Sequence, residues 1–381
     1  NYQIFVRGYG LVDSPRVPGK VGQRLDLKAV VAPDPKAAAQ IYPASYWFAL
    51  MELPKGQEQE VADATRGCMA CHQLGDQATR EIPKALGTFK SGLEAWDKRV
   101  AVGPVGPGMA AGFRRLGDAR KVFADWTDRV AAGAYPKQAP SRPAGVERNL
   151  VISIWDWAVA TGGRSDAIAT DDRHPTMNAN GPIYGAIQTG DIIATLDPAE
   201  NRAGVIKVPS NASAIGTGQA SPYYGDEAIW KRSSDPRSVV MDRQGRVWVA
   251  TRIRTPDQQP AYCKDGSLNK FAKYFPMPVG SDRQFSVYDP KTKQFTTFDT
   301  CGAADHNHFS DDESLFFGQN NIVNWVNVAT FDKTHDVAAS QGWCPAVLDT
   351  NGDGKITEWT EPGQPIDPKK DHRIEFGCYS V

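Results

Sequence analysis

The sequence predicts a multidomain α+β chain: a short N-terminal β segment, then an all-α region, then an all-β region reaching the C-terminus. Three observations predict it. Residues 1–36 carry alternating apolar and polar positions. Between 37 and 165, apolar residues recur at three- and four-residue spacing. From 166 to 381, strand-length runs are divided by turns rich in Asp, Gly and Pro.

A chain of 381 residues exceeds one ordinary core, so several domains are expected. Its 43 basic and 44 acidic side chains leave a net charge of -1, which provides no global field for nucleic acid, and no nucleic-acid partner is expected. No run approaches the roughly 20 apolar residues of a membrane-spanning helix, so no transmembrane segment is expected either. The opening Asn1-Tyr2-Gln3 has neither Met nor a secretion signal and reads as mature or otherwise incomplete. Nothing in the composition specifies an oligomeric state.

In the β segment, Gln3 to Tyr9 and Leu25 to Val31 alternate as strands do. Helices are expected over 37–51, 56–66, 91–101, 113–132 and 146–160, the last running through Ile152 to Trp157. Val102 to Gly108 holds too many breakers for a regular element and is expected to be a loop. Beyond it, Ile192 to Pro198, Gln284 to Pro290 and Val326 to Asp332 repeat a strand leading to an Asp turn. The first two return in Gly204 to Val208 and Gln294 to Phe298. Val239 to Ala250, echoed by His308 to Gly318, places a polar turn between two strands. Recurrent hairpins of this kind build propeller blades, with an ordinary β-sandwich as the alternative.

The strand, Asp-Pro-Lys-Thr turn and strand, together with Asp242-Arg243-Gln244-Gly245-Arg246-Val247-Trp248-Val249, resemble the propellers of the streptogramin-lyase and NHL-repeat group over about residues 185–381. That resemblance implies a β-propeller-like region over 166–381. The 1–36 segment would then close the ring or be a sandwich remnant.

The chemistry centres on Cys68-Met69-Ala70-Cys71-His72. Two thiols three residues apart can both add to the vinyl groups of one haem, and the following imidazole can ligate its iron. Six Cys and six His in this length would produce the run by chance about 0.0015 times. A zinc half-site would want a second close Cys/His pair, and a thiol redox pair would want a βαβ setting. The motif and its helices resemble single-haem c-type cytochromes over 37–165. By that resemblance Cys68 and Cys71 attach haem c, and His72 is the proximal ligand. Met109, after the Gly/Pro-rich stretch, is the candidate for the opposite axial position, its thioether favouring ferrous iron. Met177 and His174 are its rivals, and an open sixth site would instead favour small-ligand chemistry.

Cys263, Cys301, Cys344 and Cys378 are dispersed, and two disulfides are expected among them, with three connectivities open and four buried thiols as the alternative. Asp349-Thr350-Asn351-Gly352-Asp353-Gly354-Lys355 begins like an EF-hand calcium loop, with oxygen ligands at positions one, three and five and Gly at six. Lys355, Thr357, Thr360 and Glu361 complete the candidate ligand set. Thr360 stands at position twelve, where that family carries a bidentate Glu. Calcium is therefore expected over 349–360, against a turn that merely needs positive φ. Asp305, His306, Asn307, His308, Asp311 and Asp312 form a last polar cluster, expected to be ordinary surface residues at a blade turn, with the alternative that the two imidazoles share one strand face and bind metal or act as acid and base.

The function expected is electron transfer through one covalent haem in the periplasm or outside the cell, with a redox partner protein or a small-molecule donor or acceptor. Two alternatives stand beside it: a propeller enzyme, oxidoreductase or lyase, with the haem domain as accessory acceptor, and a docking component of an envelope assembly.

Overall fold

The computed structural model describes the chain apart from residues 1, 21, 70, 71, 104, 105, 150–156, 158–168, 170–172, 189, 210–218, 222–224, 231, 232, 278, 279, 320 and 376–381. It divides into two compact units: Asn1–Ile154 with Ala220–Asp226, and Trp155–Gln219 with Glu227–Val381. The fold is mixed, with helices in the first unit and many antiparallel sheets in the second, consistent with a β-propeller-like region.

The first unit opens with two small antiparallel ribbons. One pairs β1 (Tyr2–Ile4) with β3 (Val17–Gly19), the other β2 (Leu11–Val12) with β4 (Val30–Val31). Only the last two residues of the Leu25 to Val31 run pair as a strand. Helices follow: α1 (Pro35–Ala39), α2 (Ala44–Phe48), α3 (Glu58–Met69), α4 (Gln77–Arg80), α5 (Gly92–Val100), α6 (Gly106–Arg115) and α7 (Arg120–Ala131). The stretch expected at 37–51 is two helices because Pro43 interrupts it, with no N–H to donate. The run at 113–132 is likewise split, by the 3-10 turn Gly117–Ala119.

Gly106-Pro107-Gly108 corrects the loop expected over 102–108, since helix α6 begins at Gly106. Pro is tolerated in a first helical turn, where its missing N–H would have had no partner. Gly106 is needed there because a Cβ would lie 2.3 Å from the Ala101 carbonyl oxygen. Of the helix expected at 146–160, Gly145–Asn149 is 3-10, and 152–157 lies outside the described residues except for Trp157.

This unit's core gathers Ala64, Leu74, Trp96, Phe113, Phe123, Ala124 and Trp126. Its indoles are anchored by their N–H groups. Trp47 Nε1 donates to the Ala39 carbonyl at 3.0 Å, Trp126 Nε1 to the Trp47 carbonyl at 2.9 Å, and Trp96 Nε1 to Thr127 Oγ1 at 3.0 Å.

In the second unit β5 (Ile183–Ile187), β6 (Ile192–Asp197) and β7 (Arg202–Lys207) form an antiparallel meander. A two-stranded sheet, β8 (Gln219–Ser221) with β9 (Gly225–Trp230), follows in the chain. Two four-stranded antiparallel meanders come next: β10 (Arg237–Met241), β11 (Val247–Thr251), β12 (Gln284–Asp289) and β13 (Gln294–Phe298), then β14 (Asn307–Phe309), β15 (Ser314–Gln319), β16 (Ile322–Asn327) and β17 (Gln341–Pro345). A three-stranded sheet closes the described chain, with β20 (Asp371–Arg373) between β18 (Val347–Leu348) and β19 (Trp359–Thr360). Trp248, Phe285, Phe298, Leu315 and Phe317 are core side chains shared between the two four-stranded sheets.

The hairpin motifs have local causes. In Asp242-Arg243-Gln244-Gly245, the buried Asp242 carboxylate accepts from the Gln244 and Arg246 amides, Arg246 Nε at 2.6 Å and Trp248 Nε1 at 2.9 Å, while Gly245 takes φ 81°. In the Asp-Pro-Lys-Thr turn, Asp289 Oδ1 accepts from the Lys291 amide at 2.8 Å. The third expected hairpin, Val326 to Asp332, is corrected. Strand β16 ends at Asn327, whose side chain caps a helix, α8 (Val328–Thr334), by accepting from the Thr330 amide at 2.7 Å.

Candidate functional site

Helix α3 ends with Cys68 and Met69, the first two residues of the Cys68–His72 run. Cys68 is half-buried against the Trp96, Phe113 and Trp126 core, and the His72 amide donates to the Cys68 carbonyl at 2.9 Å. The His72 side chain is exposed. Met69, inside the motif, points to solvent at 55% exposure. Ala70 and Cys71 lie outside the described residues.

Met109 sits half-buried in α6, one turn before Phe113. Met109 is not among the side chains packed against the core that Cys68 borders. The rivals are placed differently. Met177 packs against Ala169, Tyr184 and Ile193 in the sheet unit, and the exposed His174 belongs to the same unit.

Among the other cysteines, Cys263 and Cys301 form a disulfide with Cα atoms 5.5 Å apart. Cys344 carries a half-buried thiol whose pKa burial pushes up, and Cys378 lies outside the described residues.

In the loop expected to bind calcium, Asp349 accepts from the Gly352 amide at 2.7 Å and the Gly354 amide at 2.9 Å. Asn351 Oδ1 accepts from the Asp353 amide, and Asp353 Oδ1 from that of Lys355. Gly352 and Gly354 hold φ of 77° and 75°, the region glycine enters without penalty. Further along, the Thr360 hydroxyl is bonded to His372 Nδ1 at 2.7 Å, and Glu361 is bonded to both Trp359 Nε1 and Arg373 Nη1, each at 3.0 Å. The three leading oxygen donors thus share one tight turn, while Thr360 and Glu361 are engaged by strand neighbours. No Thr357 side-chain contact places it with them. Among the described residues, no three His, Cys, Asp or Glu side chains are grouped as a metal site.

In the polar cluster at 305–312 the exposed His308 matches a surface histidine. The strand covers only 307–309; within it Asn307 is buried and His308 exposed, while His306 precedes the strand. Asp305 instead joins an ion-pair network that sequence reading missed. Antiparallel pairing brings Arg237, Arg252 and Arg283 to one end of β10, β11 and β12. There Arg283 meets Asp235 at 3.0 Å and Asp305 at 3.4 Å, Arg237 meets Asp305 at 3.3 Å, and Arg252 meets Asp282 at 2.7 Å. Asp191 holds the approach by accepting from the amides of Ser233, Ser234 and Asp235, with Asp235 itself at φ 43°. The Asn307 amide, 2% exposed, and the fully buried Ser234 hydroxyl have no hydrogen-bond partner among the described residues. Each such orphan costs about 1–3 kcal/mol, so this end of the sheets is equipped for a polar guest or bound water. The scattered positions of these residues carry no sequence spacing that could have announced them.

No protein-family model matches the chain, and no curated protein matches it. Among solved structures, PorZ, a surface component of the type-IX secretion system of Porphyromonas gingivalis, aligns at 14% identity over 56% of this chain and 24% of its own, with a TM-score of 0.27. Regucalcin, a calcium-binding protein of Agrobacterium tumefaciens, aligns at 13% identity over 43% of this chain and 53% of its own, with a TM-score of 0.21. A streptogramin B lyase aligns at 13% over 51% and 58%, also with a TM-score of 0.21. The chain thus spans less than two thirds of each. Likenesses at this level carry no functional argument, and the reading rests on the chain's own residues.

Proposed function

We propose that the chain is a single-haem c-type electron-transfer protein working outside the cytoplasm, with a propeller-like sheet unit that receives a partner or substrate. The observation that carries the reading is the Cys68-Met69-Ala70-Cys71-His72 run, whose Cys68, in the last turn of α3, packs against an aromatic core. Cys68 and Cys71 would hold haem c through thioethers, His72 would take the proximal position, and Met109 the opposite one. Bound there, haem supplies reversible one-electron chemistry. Trp96, Phe113 and Phe123 would exclude water from its apolar edge, which favours the reduced state. The Cys263–Cys301 disulfide supports an oxidising compartment, periplasmic or extracellular. No helix among the described residues is long and apolar enough to cross a membrane. The electron would pass to a redox protein or a small-molecule acceptor.

Acid-acetone extraction of the purified protein tests the reading. The haem should stay on the polypeptide, because thioethers survive loss of the fold; haem in the organic phase overturns it.

A second reading, an enzymatic or docking role for the sheet unit, is favoured by the orphaned Asn307 amide and Ser234 hydroxyl beside the Arg237, Arg252 and Arg283 network. Asn307→Leu should then abolish turnover or partner capture and leave the haem spectrum intact. Calcium at Asp349, Asn351 and Asp353, with the Lys355 carbonyl, belongs to the same proposal as a structural ion of the loop.

A further inference from the structure

Asp371, the first residue of β20, is fully buried, and among the described residues neither of its carboxylate oxygens has a hydrogen-bond partner. The neighbouring cations are engaged elsewhere. Lys370 pairs with Glu358 and Arg373 with Glu361, each at 3.0 Å. An ionised carboxylate taken out of water without a partner is costly, so buried charges of this kind are paired or hold a metal ion.

Sheet register fixes which side of the strand Asp371 occupies. In the antiparallel ladder of β18 with β20, Val347 is opposite Arg373 and Leu348 opposite His372, so the next step sets Asp349 opposite Asp371. The bonds beyond keep that register: Thr350 Oγ1 donates to the Lys370 carbonyl at 3.1 Å, and Asn351 Nδ2 to the Lys369 carbonyl at 3.3 Å. Directly opposed residues point to one face with Cβ atoms about 4.5–5.5 Å apart, and two carboxylates so placed repel unless a cation lies between them. On the other edge of β20, Trp359 is the parallel partner of Asp371.

We infer that Asp371 is a calcium ligand, sharing with Asp349 the ion of the 349–361 loop; the inference rests on the calcium reading of that loop. Thr360 and Glu361 are engaged by strand neighbours, so the loop's end offers the ion no carboxylate of its own, and Asp371 brings one from the adjacent strand. Each Asp349 oxygen accepts one amide and keeps a second lone pair. Carbonyl and water oxygens complete calcium shells, so two carboxylates serve here although no three acidic side chains are grouped among the described residues. Calcium stands about 2.3–2.6 Å from its oxygens, closer than a hydrogen-bonded water, so a carboxylate closed to water can still hold the ion.

Calorimetric titration of the whole, chelator-treated protein with calcium chloride tests it. Asp371→Asn, which keeps the shape and removes the charge, should weaken calcium binding at least tenfold with circular dichroism unchanged, and Asp349→Ala should abolish it. Binding lost in Asp349→Ala but unchanged in Asp371→Asn would overturn the assignment and leave the loop reading in place. No binding by the parent would overturn both. A second measurement does not depend on how Asp371→Asn folds. Terbium in calcium's place should emit when tryptophan is excited, and Trp359→Phe should remove most of that emission while calorimetric calcium binding holds. Emission undiminished by Trp359→Phe would set the ion away from β20 and overturn the assignment.

Discussion

The two units reach stability by different routes. The helical unit is built of α-helices 4–12 residues long, too short to hold alone, so its order depends on a few aromatic anchors. The sheet unit repeats antiparallel meanders whose ladders, shared Phe and Trp core and Asp-centred turns support one another. If the haem proposal is right, the first unit should need its cofactor to be stable, and the second should not.

The largest effect expected follows from that contrast. Replacing Cys68 and Cys71 together by Ala should remove the haem and abolish the helical unit's cooperative melting, while the sheet unit still melts as in the parent. Scanning calorimetry on the whole chain resolves the two, since a chain of several domains need not unfold in one step. A haem-free variant with both transitions unmoved would break the comparison.

Next comes the staple of the sheet unit. Cys263 and Cys301 close a loop of 38 residues, worth about 4 kcal/mol on the chain-entropy relation. Cys263→Ser with Cys301→Ser should lower only the sheet unit's transition by an amount of that order. The same measurement has a chemical counterpart. With Cys68 and Cys71 in thioethers, the Cys344 thiol should titrate in the unreduced, unfolded protein, and its failure to titrate would show that it is bridged.

Met109→Ala sharpens the comparison within the helical unit. Removing a half-buried side chain should cost less than the 2–5 kcal/mol typical of a fully buried Met, so the fold should survive. The iron should not be indifferent: loss of a thioether should lower the reduction potential and open the site to added imidazole. An unchanged potential and spectrum would make Met109 a packing residue and return attention to Met177 and His174.

Much of the sheet unit was legible because its cause is local. Alternation and an Asp turn suffice to place β6 with β7 and β12 with β13. The Val326 to Asp332 run misled because its strand grammar is overridden by a side-chain cap: Asn327 binding the Thr330 amide starts a helix where a turn was expected. Gly106 to Gly108 misled in the opposite sense, since breakers tolerated in a first helical turn look like a loop when neighbours are invisible. At the sites, the Cys68–His72 run stands out in the sequence because its residues are contiguous, and its haem chemistry is a proposal. The Arg237, Arg252 and Arg283 network was not legible, because sheet register assembles it from distant positions.

The smallest effect expected is at the 349–361 loop, where the turn is already closed by its own Asx bonds. Asp349 holds the Gly352 and Gly354 amides, so much of the loop's shape needs no ion. Thr360 is bonded to His372, and Glu361 to Trp359 and Arg373, so the strong bidentate ligand that tight calcium sites use is missing. Any calcium held by Asp349, Asn351 and Asp353 should therefore be weak, on the order of the 10⁻⁴–10⁻³ M of extracellular modules. Millimolar calcium should slow proteolysis within this loop, chelator should reverse it, and Asp349→Ala should remove the response while both melting transitions and the haem spectrum hold. Proteolysis indifferent to calcium would leave 349–361 as a turn that Gly352 and Gly354 shape alone.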